Sequence, residues 1–410
     1  MSSGTIWKAT QSWLDARLPE MKRDLVALAD QNSGSYNLPG LLSVAGWLET
    51  WFDSLNASFQ RVNLPARKRV TDLGELESVE TGPLLRWDFR PEASRRVLLM
   101  IHYDTVFDSE HEFQICQDLE ADRMQGPGVA DAKGGIVVIR NALLALQENN
   151  WSPKIGWTVV LNPDEEVGSQ CSTPYLNEIA RDFEFGLLFE PSLPTGELVS
   201  TRKGSGNFDL VVRGKAAHAG RHFDEGRNAV ALLSQIFAEL HQLNGQREGT
   251  TINLGSIQGG GPVNVVPELA VGRLNARMLD QESMNWFEEQ LRRIVEEANS
   301  LDGFHVELYG EITSPPKQKS AGMQQLMHLL EDIYQEEFDQ TLQWKSTGGV
   351  CDGNKLAAAG LPNIDTLGPT GDGLHSSKEW VQVSSLAKQA KLIAWVLLRF
   401  DASGKSLLEN

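Results

Sequence analysis

A chain of 410 residues exceeds what one hydrophobic core usually serves, so its length points to two domains with room for a cleft between them. Hydrophobic residues at 41% and charged residues at 22%, with no low-complexity tract, exclude a disordered or fibrous chain. The formal net charge is -18 and the longest basic cluster is Arg67-Lys68-Arg69, which excludes a nucleic-acid-binding surface.

No stretch approaches the ~20 apolar residues that span a bilayer, so no membrane partner is expected. Residues 1–18 alternate polar and apolar positions and lack the continuous apolar centre of a signal peptide. The three cysteines, Cys116, Cys171 and Cys351, are far apart and in no C-x-x-C pattern. They predict neither a disulfide framework nor a thiolate metal site, and a cytoplasmic location is the expectation.

Leu14, Leu18, Met21, Leu25 and Leu28 recur at helical spacing and predict an amphipathic helix over 10–30, which Pro19 is expected to kink or split. A second helix is expected over 41–55. Three short runs rich in apolar residues, 97–101, 157–161 and 185–189, read as buried strands. Between the first two, Ile136, Ile139, Leu143 and Leu146 predict a crossover helix over 133–147. Strand, helix and strand in alternation indicate an α/β domain built on a mainly parallel sheet between helices.

After Lys203 the pattern changes. Strands are expected at 208–212, 251–257, 268–278 and 305–312, with helices at 228–243 and 281–299, an order that matches the ferredoxin-like split unit. Residues 313–316, Thr-Ser-Pro-Pro, read as a linker back to the first domain. The expected division is therefore 1–204 and 314–410 for one domain, with 205–313 inserted. Segment 323–400, with a helix at each end, is expected to complete the first domain's sheet.

Polar residues follow the strands closely, where open α/β sheets bind ligands. His102 and Asp104 form His-x-Asp after the first strand, an arrangement in which Asp104 can orient a metal-bound imidazole, although a lone His-x-Asp is more often structural. The glycine-rich run 126–135 opens a helix with Asp131 where a dinucleotide fingerprint would need glycine, and Lys133-Gly134 is not the phosphate-binding pair. A metal-bridging carboxylate suits that position better.

Asp164-Glu165-Glu166 is either an exposed acidic turn or a cation site, and Glu190 ends an apolar strand where an unpaired carboxylate would be costly. His375 sits in a late turn. Two histidines and three carboxylates from separate segments make a mixed nitrogen and oxygen shell that favours Zn(II), with Co(II) or Mn(II) as substitutes.

Taken together, His102-Tyr-Asp104, Gly-x-Gly-x-x-Asp131-x-Lys-Gly-Gly, Asp-Glu165-Glu166-x-Gly-Ser, Phe-Glu190-Pro and His375-Ser resemble the co-catalytic zinc peptidases. That family includes carboxypeptidase G, acetylornithine deacetylase, succinyl-diaminopimelate desuccinylase and aminoacylase. The resemblance implies two metals per chain, roughly 3.5 Å apart. Asp131 would bridge them, His102 and Glu190 would complete one site, and Glu166 and His375 the other. Glu165 would be the general base. A cis peptide bond between Asp131 and Ala132 is also implied.

In the inserted segment, Gly-Lys-Ala-Ala-His218-Ala-Gly is similar to the family stretch whose histidine crosses a dimer interface to stabilise the oxyanion. Asn264 and Arg277 resemble the positions that hold the substrate's carbonyl and terminal carboxylate. The loop Gly348-Gly349-Val350-Cys351-Asp352-Gly353 looks like the substrate pocket loop, with Gly349 as a contact, but relatives often carry Ser or Thr where Cys351 stands. Lys203 sits in a looser motif. His111, His222, His241, His305 and His328 match none.

The expected partners are a small peptide or N-acyl amino acid with a free carboxylate, and a second copy of the chain joined through the inserted domain's edge strand. Release of a C-terminal amino acid and N-acyl amino acid deacylation are two labels for the same attack. A catalytically inactive binding protein on the same fold would have lost a ligand or the base, and none of the six is missing.

Overall fold

In a computed structural model that describes residues 3–406, the first helix runs from Ser3 to Ala29 with Pro19 inside it, so the expected kink or split does not divide it. Proline removes one backbone donor at a cost of about 3 kcal/mol. Buried Leu14, Met21, Leu25 and Leu28 lie on both sides of it and hold the helix against the core. The second helix, Leu38–Phe52, begins earlier than expected because the Asn37 side chain caps it by accepting from the Gly40 N–H.

The main sheet has six strands in the order Ser58–Val62, Leu84–Phe89, Gly156–Asn162, Arg96–His102, Phe185–Leu188, Asn363–Ile364. The last four run parallel and the first two are antiparallel additions at one edge. Alternate strand residues serve opposite faces. Leu99, Ile101, Val159 and Leu187 join the cluster under the helices Ser3–Ala29, Lys133–Glu148 and Val383–Ser403. Leu98, Met100, Val160 and Leu188 meet Leu176 and Leu356 of the helices Thr173–Ile179 and Asp352–Ala358. Helices on both faces of a largely parallel sheet give the α/β architecture that the alternation predicts.

Segment 323–400 contributes less to this sheet than expected: Asn363–Ile364 alone joins it. Trp344–Thr347 pairs with Leu198–Arg202, and Trp380–Gln382 pairs with Arg123–Gln125, each in a smaller sheet.

A second sheet, antiparallel throughout, has the order Thr251–Gly259, Leu269–Met278, Gly204–Arg213, His305–Ser314. Its two helices, Ala229–Gln242 and Gln281–Asn299, share one core with it through Leu233, Phe237, Phe287 and Leu291. A hairpin from earlier in the chain, Arg67–Val70 with Leu76–Val79, packs Val70 against Val211 and Val271 of this sheet. Polar ties reinforce the contact: Arg213 Nη2 donates to the Gly74 carbonyl at 2.7 Å, and Arg273 Nη2 lies 2.8 Å from Asp72 Oδ1. Among the described residues no helix is long and apolar enough to cross a membrane.

Candidate metal centre

The parallel strands bring their carboxyl ends to one edge of the main sheet. His102 is the last residue of its strand, and Glu190 follows Phe185–Leu188 by two positions. Asp131 stands in the turn that opens the helix Lys133–Glu148, with a cis peptide bond to Ala132 as the resemblance implied. Glu165 and Glu166 occupy a short turn after Gly156–Asn162, and His375 sits in a late loop at φ +59°.

Five of these side chains converge in two groups that share Asp131. Its Oδ1 lies 3.1 Å from His102 Nε2, which is 3.7 Å from Glu190 Oε2. On the other side, Oδ2 lies 3.3 Å from His375 Nε2, which is 3.1 Å from Glu166 Oε2. Within each group the ligand atoms lie within 4.8 Å of one another. A cavity of about 260 Å³ opens on the pair, lined by Asp131, Glu165, Glu190 and His375 with apolar Val350 and Leu374.

The electrostatics call for added positive charge. Burial drives the Glu165 carboxyl well above its ordinary range, helped by the neighbouring Glu190 charge. Burial and then Asp131 push Glu166 up to about 7. Burial would raise Asp131 too, but His102 and His375 outweigh it and hold that carboxyl low. The two carboxylates raise His375 to about 11. Nearby buried cations are engaged elsewhere, Arg202 with Asp365 at 2.8 Å and Lys355 with Asp352 at 2.8 Å. Four carboxylates around two imidazoles therefore fit a pair of divalent cations, and the mixed donors suit zinc.

Asp104 is buried beside this centre and accepts from the backbone N–H groups of Glu165 and Glu166 and from the Ser35 hydroxyl at 2.7 Å. Its backbone carbonyl, at 3.0 Å, is closer to His102 Nδ1 than its carboxylate is, at 3.3 Å. The expected orienting role toward His102 is thus shared with the main chain. Asp164, first of the acidic triplet, points away and accepts from Cys171 N–H, Ser172 N–H and the Ser172 hydroxyl.

The remaining candidates divide. Gly349 lines the cavity and its carbonyl accepts from Arg202 Nη1 at 3.2 Å. Arg277 reaches the same loop, donating to the Gly348 carbonyl at 3.2 Å. His218 and Asn264 lie together instead on an exposed turn of the second sheet's unit: His218 pairs with Val265, and Ala219 N–H donates to the Asn264 carbonyl. Neither lines the cavity. Lys203 Nζ donates to the Gly249 carbonyl. Cys351 is buried at the start of Asp352–Ala358 and caps that helix, its Sγ accepting from Gly353 N–H, which is the work a Ser or Thr hydroxyl does elsewhere.

Sequence reasoning missed three buried supports. Glu379 accepts from three backbone N–H groups of the Asp131 loop. Asp352 ties Asn162, Ser169 and Lys355 together beneath the Glu165 turn. Asp365 joins Arg202 to Lys317.

Residues 98–399 match the sequence profile of Peptidase family M20/M25/M40. The chain is 25% identical over 388 residues to carboxypeptidase G2 of Pseudomonas sp. strain RS-16, spanning 94% of this chain and 90% of that protein. An M20 family metallo-carboxypeptidase from Sulfolobus solfataricus shares the fold with a TM-score of 0.74 at 16% identity, over 93% of this chain and 99% of that one. A dinuclear metal binding peptidase of the M20 family from Bacillus subtilis shares it with a TM-score of 0.64 at 14% identity, over 95% and 99%.

Proposed function

The chain is an enzyme of peptidase family M20/M25/M40, and from that premise we propose that it is a two-metal amidohydrolase releasing the C-terminal amino acid from a small peptide or N-acyl amino acid. The observation that carries this reading is the division of Asp131, one oxygen toward His102 and Glu190 and the other toward His375 and Glu166. Zinc would be held by these five residues. Bound there, two such cations would polarise the scissile carbonyl and lower the pKa of an attacking water.

Glu165 lines the same cavity and belongs to neither ligand group, and burial raises its carboxyl, which makes its carboxylate a stronger proton acceptor. Those properties suit a general base that takes the water's proton and returns it to the leaving nitrogen. Arg277 would hold the substrate's free carboxylate, for which its planar fork is suited, with Gly349 beside it and Asn264 toward the carbonyl.

His218 and Asn264 do not line the cavity of their own chain, which suits their acting on the site of a second copy. Thr251–Gly259 is an edge strand, which suits a two-fold dimer through the inserted unit. We take 1–204 with 314–410 as the catalytic domain and 205–313 as the inserted one.

The test is to incubate zinc-loaded protein with dipeptides and N-acyl amino acids, folyl-glutamate and acetylornithine types among them, and identify the products. Release of the carboxy-terminal amino acid from peptide and folyl substrates is expected. Turnover of acetylornithine types alone would overturn the carboxypeptidase reading in favour of a deacylase.

A further inference from the structure

Glu379 is 1% exposed, and its partners are backbone amides rather than a cation. Oε2 accepts from Gly128 N–H at 3.1 Å, and Oε1 accepts from Ala130 N–H at 2.9 Å and Asp131 N–H at 3.0 Å. Gly128 adopts φ +72°, and a Cβ there would stand 2.8 Å from Thr105 Cγ2, so the loop closes tightly at a position that requires glycine.

The same residue belongs to the segment that carries His375. Glu379 N–H donates to the Ser376 carbonyl, and the Glu379 carbonyl accepts from Gly126 N–H. The next residue, Trp380, pairs with Gln125 on the strand leading into the Asp131 loop. One buried side chain thus joins the loop of the shared ligand to the turn of another.

We infer that Glu379 is a positioning residue that sets the Asp131 loop so that both carboxylate oxygens face their ligand groups before any cation binds. The inference rests on the metal-centre reading above. It follows from how Asp131 is shared: a rotation of that side chain moves Oδ1 and Oδ2 together, so loosening its backbone disturbs both sites at once. Loss of Glu166 or Glu190 removes a donor from one site only. Supporting partners of metal ligands typically contribute 10- to 100-fold in affinity.

Glu379→Gln keeps the side chain's volume and one acceptor but turns an N–H₂ group toward a backbone N–H. Metal-free wild type, Glu379→Gln and Glu166→Gln are titrated with zinc by calorimetry. Two sites are expected in wild type, both weakened together by roughly 10- to 100-fold in Glu379→Gln, and one weakened selectively in Glu166→Gln. Wild-type affinities in Glu379→Gln, or loss confined to one site, would overturn the inference. A wild type that binds fewer than two ions would instead sink the metal-centre reading itself.

Amide exchange in the metal-free wild type provides a second measurement that needs no variant. The Ala130 and Asp131 amides should already be slow without zinc. Fast exchange at both would overturn the positioning role.

Discussion

The backbone N–H of Glu165 donates to Oδ1 of Asp104 at 3.1 Å, so the carboxylate next to the His102 strand holds the turn that carries the candidate base. Asp104→Asn offers that turn one acceptor and one donor where two acceptors are needed. Turnover should fall about 10- to 100-fold, with both ions retained, as read by steady-state kinetics and elemental analysis on the same preparation. Unchanged turnover would show that the Glu165 turn holds its shape without Asp104.

Glu165 and Glu166 are neighbours with different proposed tasks, and their losses should differ in kind. Glu165→Gln removes a base but no ligand, so metal content should stay near normal while turnover drops on the order of 100-fold or more. Glu166→Gln should lose or weaken one ion, with activity partly restored by added zinc. A fully metallated Glu165→Gln variant with wild-type turnover would rule out the mechanism.

Chelation should abolish activity, and the metal-free protein should have a distinctive pH response. Burial and Asp131 raise Glu166 from its ordinary 4.5 to about 7, so the folded chain keeps a proton that the unfolded chain has released. That contribution is present below pH 4.5 and is lost as pH rises through about 7. Melting temperature of the metal-free protein should therefore decline from pH 5 to 8. Zinc needs the deprotonated ligand, so its stabilising effect should grow over the same window. Parallel melting curves with and without zinc would check both signs.

If His218 serves the partner's site, two inactive variants should repair each other. Mixed His218→Ala and Glu165→Gln chains can form a heterodimer in which one site has an intact base and an intact partner histidine. Mixing should restore at most about half the activity per heterodimer, since one of two sites is whole. Light scattering that reports a monomer at full activity would defeat both the dimer and this role.

Asp365 is fully buried between Arg202 and Lys317, at 2.8 and 2.6 Å. Burial would raise its carboxyl, but the two cations outweigh it and hold the group low, so its contribution is present at neutral pH and fades only in strong acid. Asp365→Asn leaves two buried cations short of a partner and should cost about 3–5 kcal/mol in urea unfolding. Because Arg202 also holds the Gly349 carbonyl, KM should rise as well.

The candidate site was legible in the sequence where chemistry and strand ends coincide. His102 and Glu190 stand out because each is a polar residue at the end of an apolar run, and Asp131 because it stands in a glycine-rich run where a dinucleotide fingerprint would need glycine. Glu379, Asp352 and Asp365 could not be read in this way: their partners are backbone amides or side chains far along the chain, and proximity of that kind leaves no local period.

The fold shows the same limit. Strands that cross the core, such as Gly156–Asn162, are buried at every position and announce themselves. The edge strand Ser58–Val62 has no buried residue and offers no apolar run to find. Pro19 misleads for the opposite reason, since packing on either side outweighs a local preference.

The hairpin of Arg67–Val70 and Leu76–Val79 gives the molecule a different partition in space from the one along the chain. The strands and helices of the antiparallel sheet lie between residues 204 and 314, yet the cover over its Val211 and Val271 is supplied by residues long before them. Cut out at those points, the unit would leave with an uncovered apolar patch and with Arg213 and Arg273 deprived of Gly74 and Asp72. Contiguous in sequence, this sheet is still not a detachable module, and a swap of it between relatives would have to carry the hairpin with it.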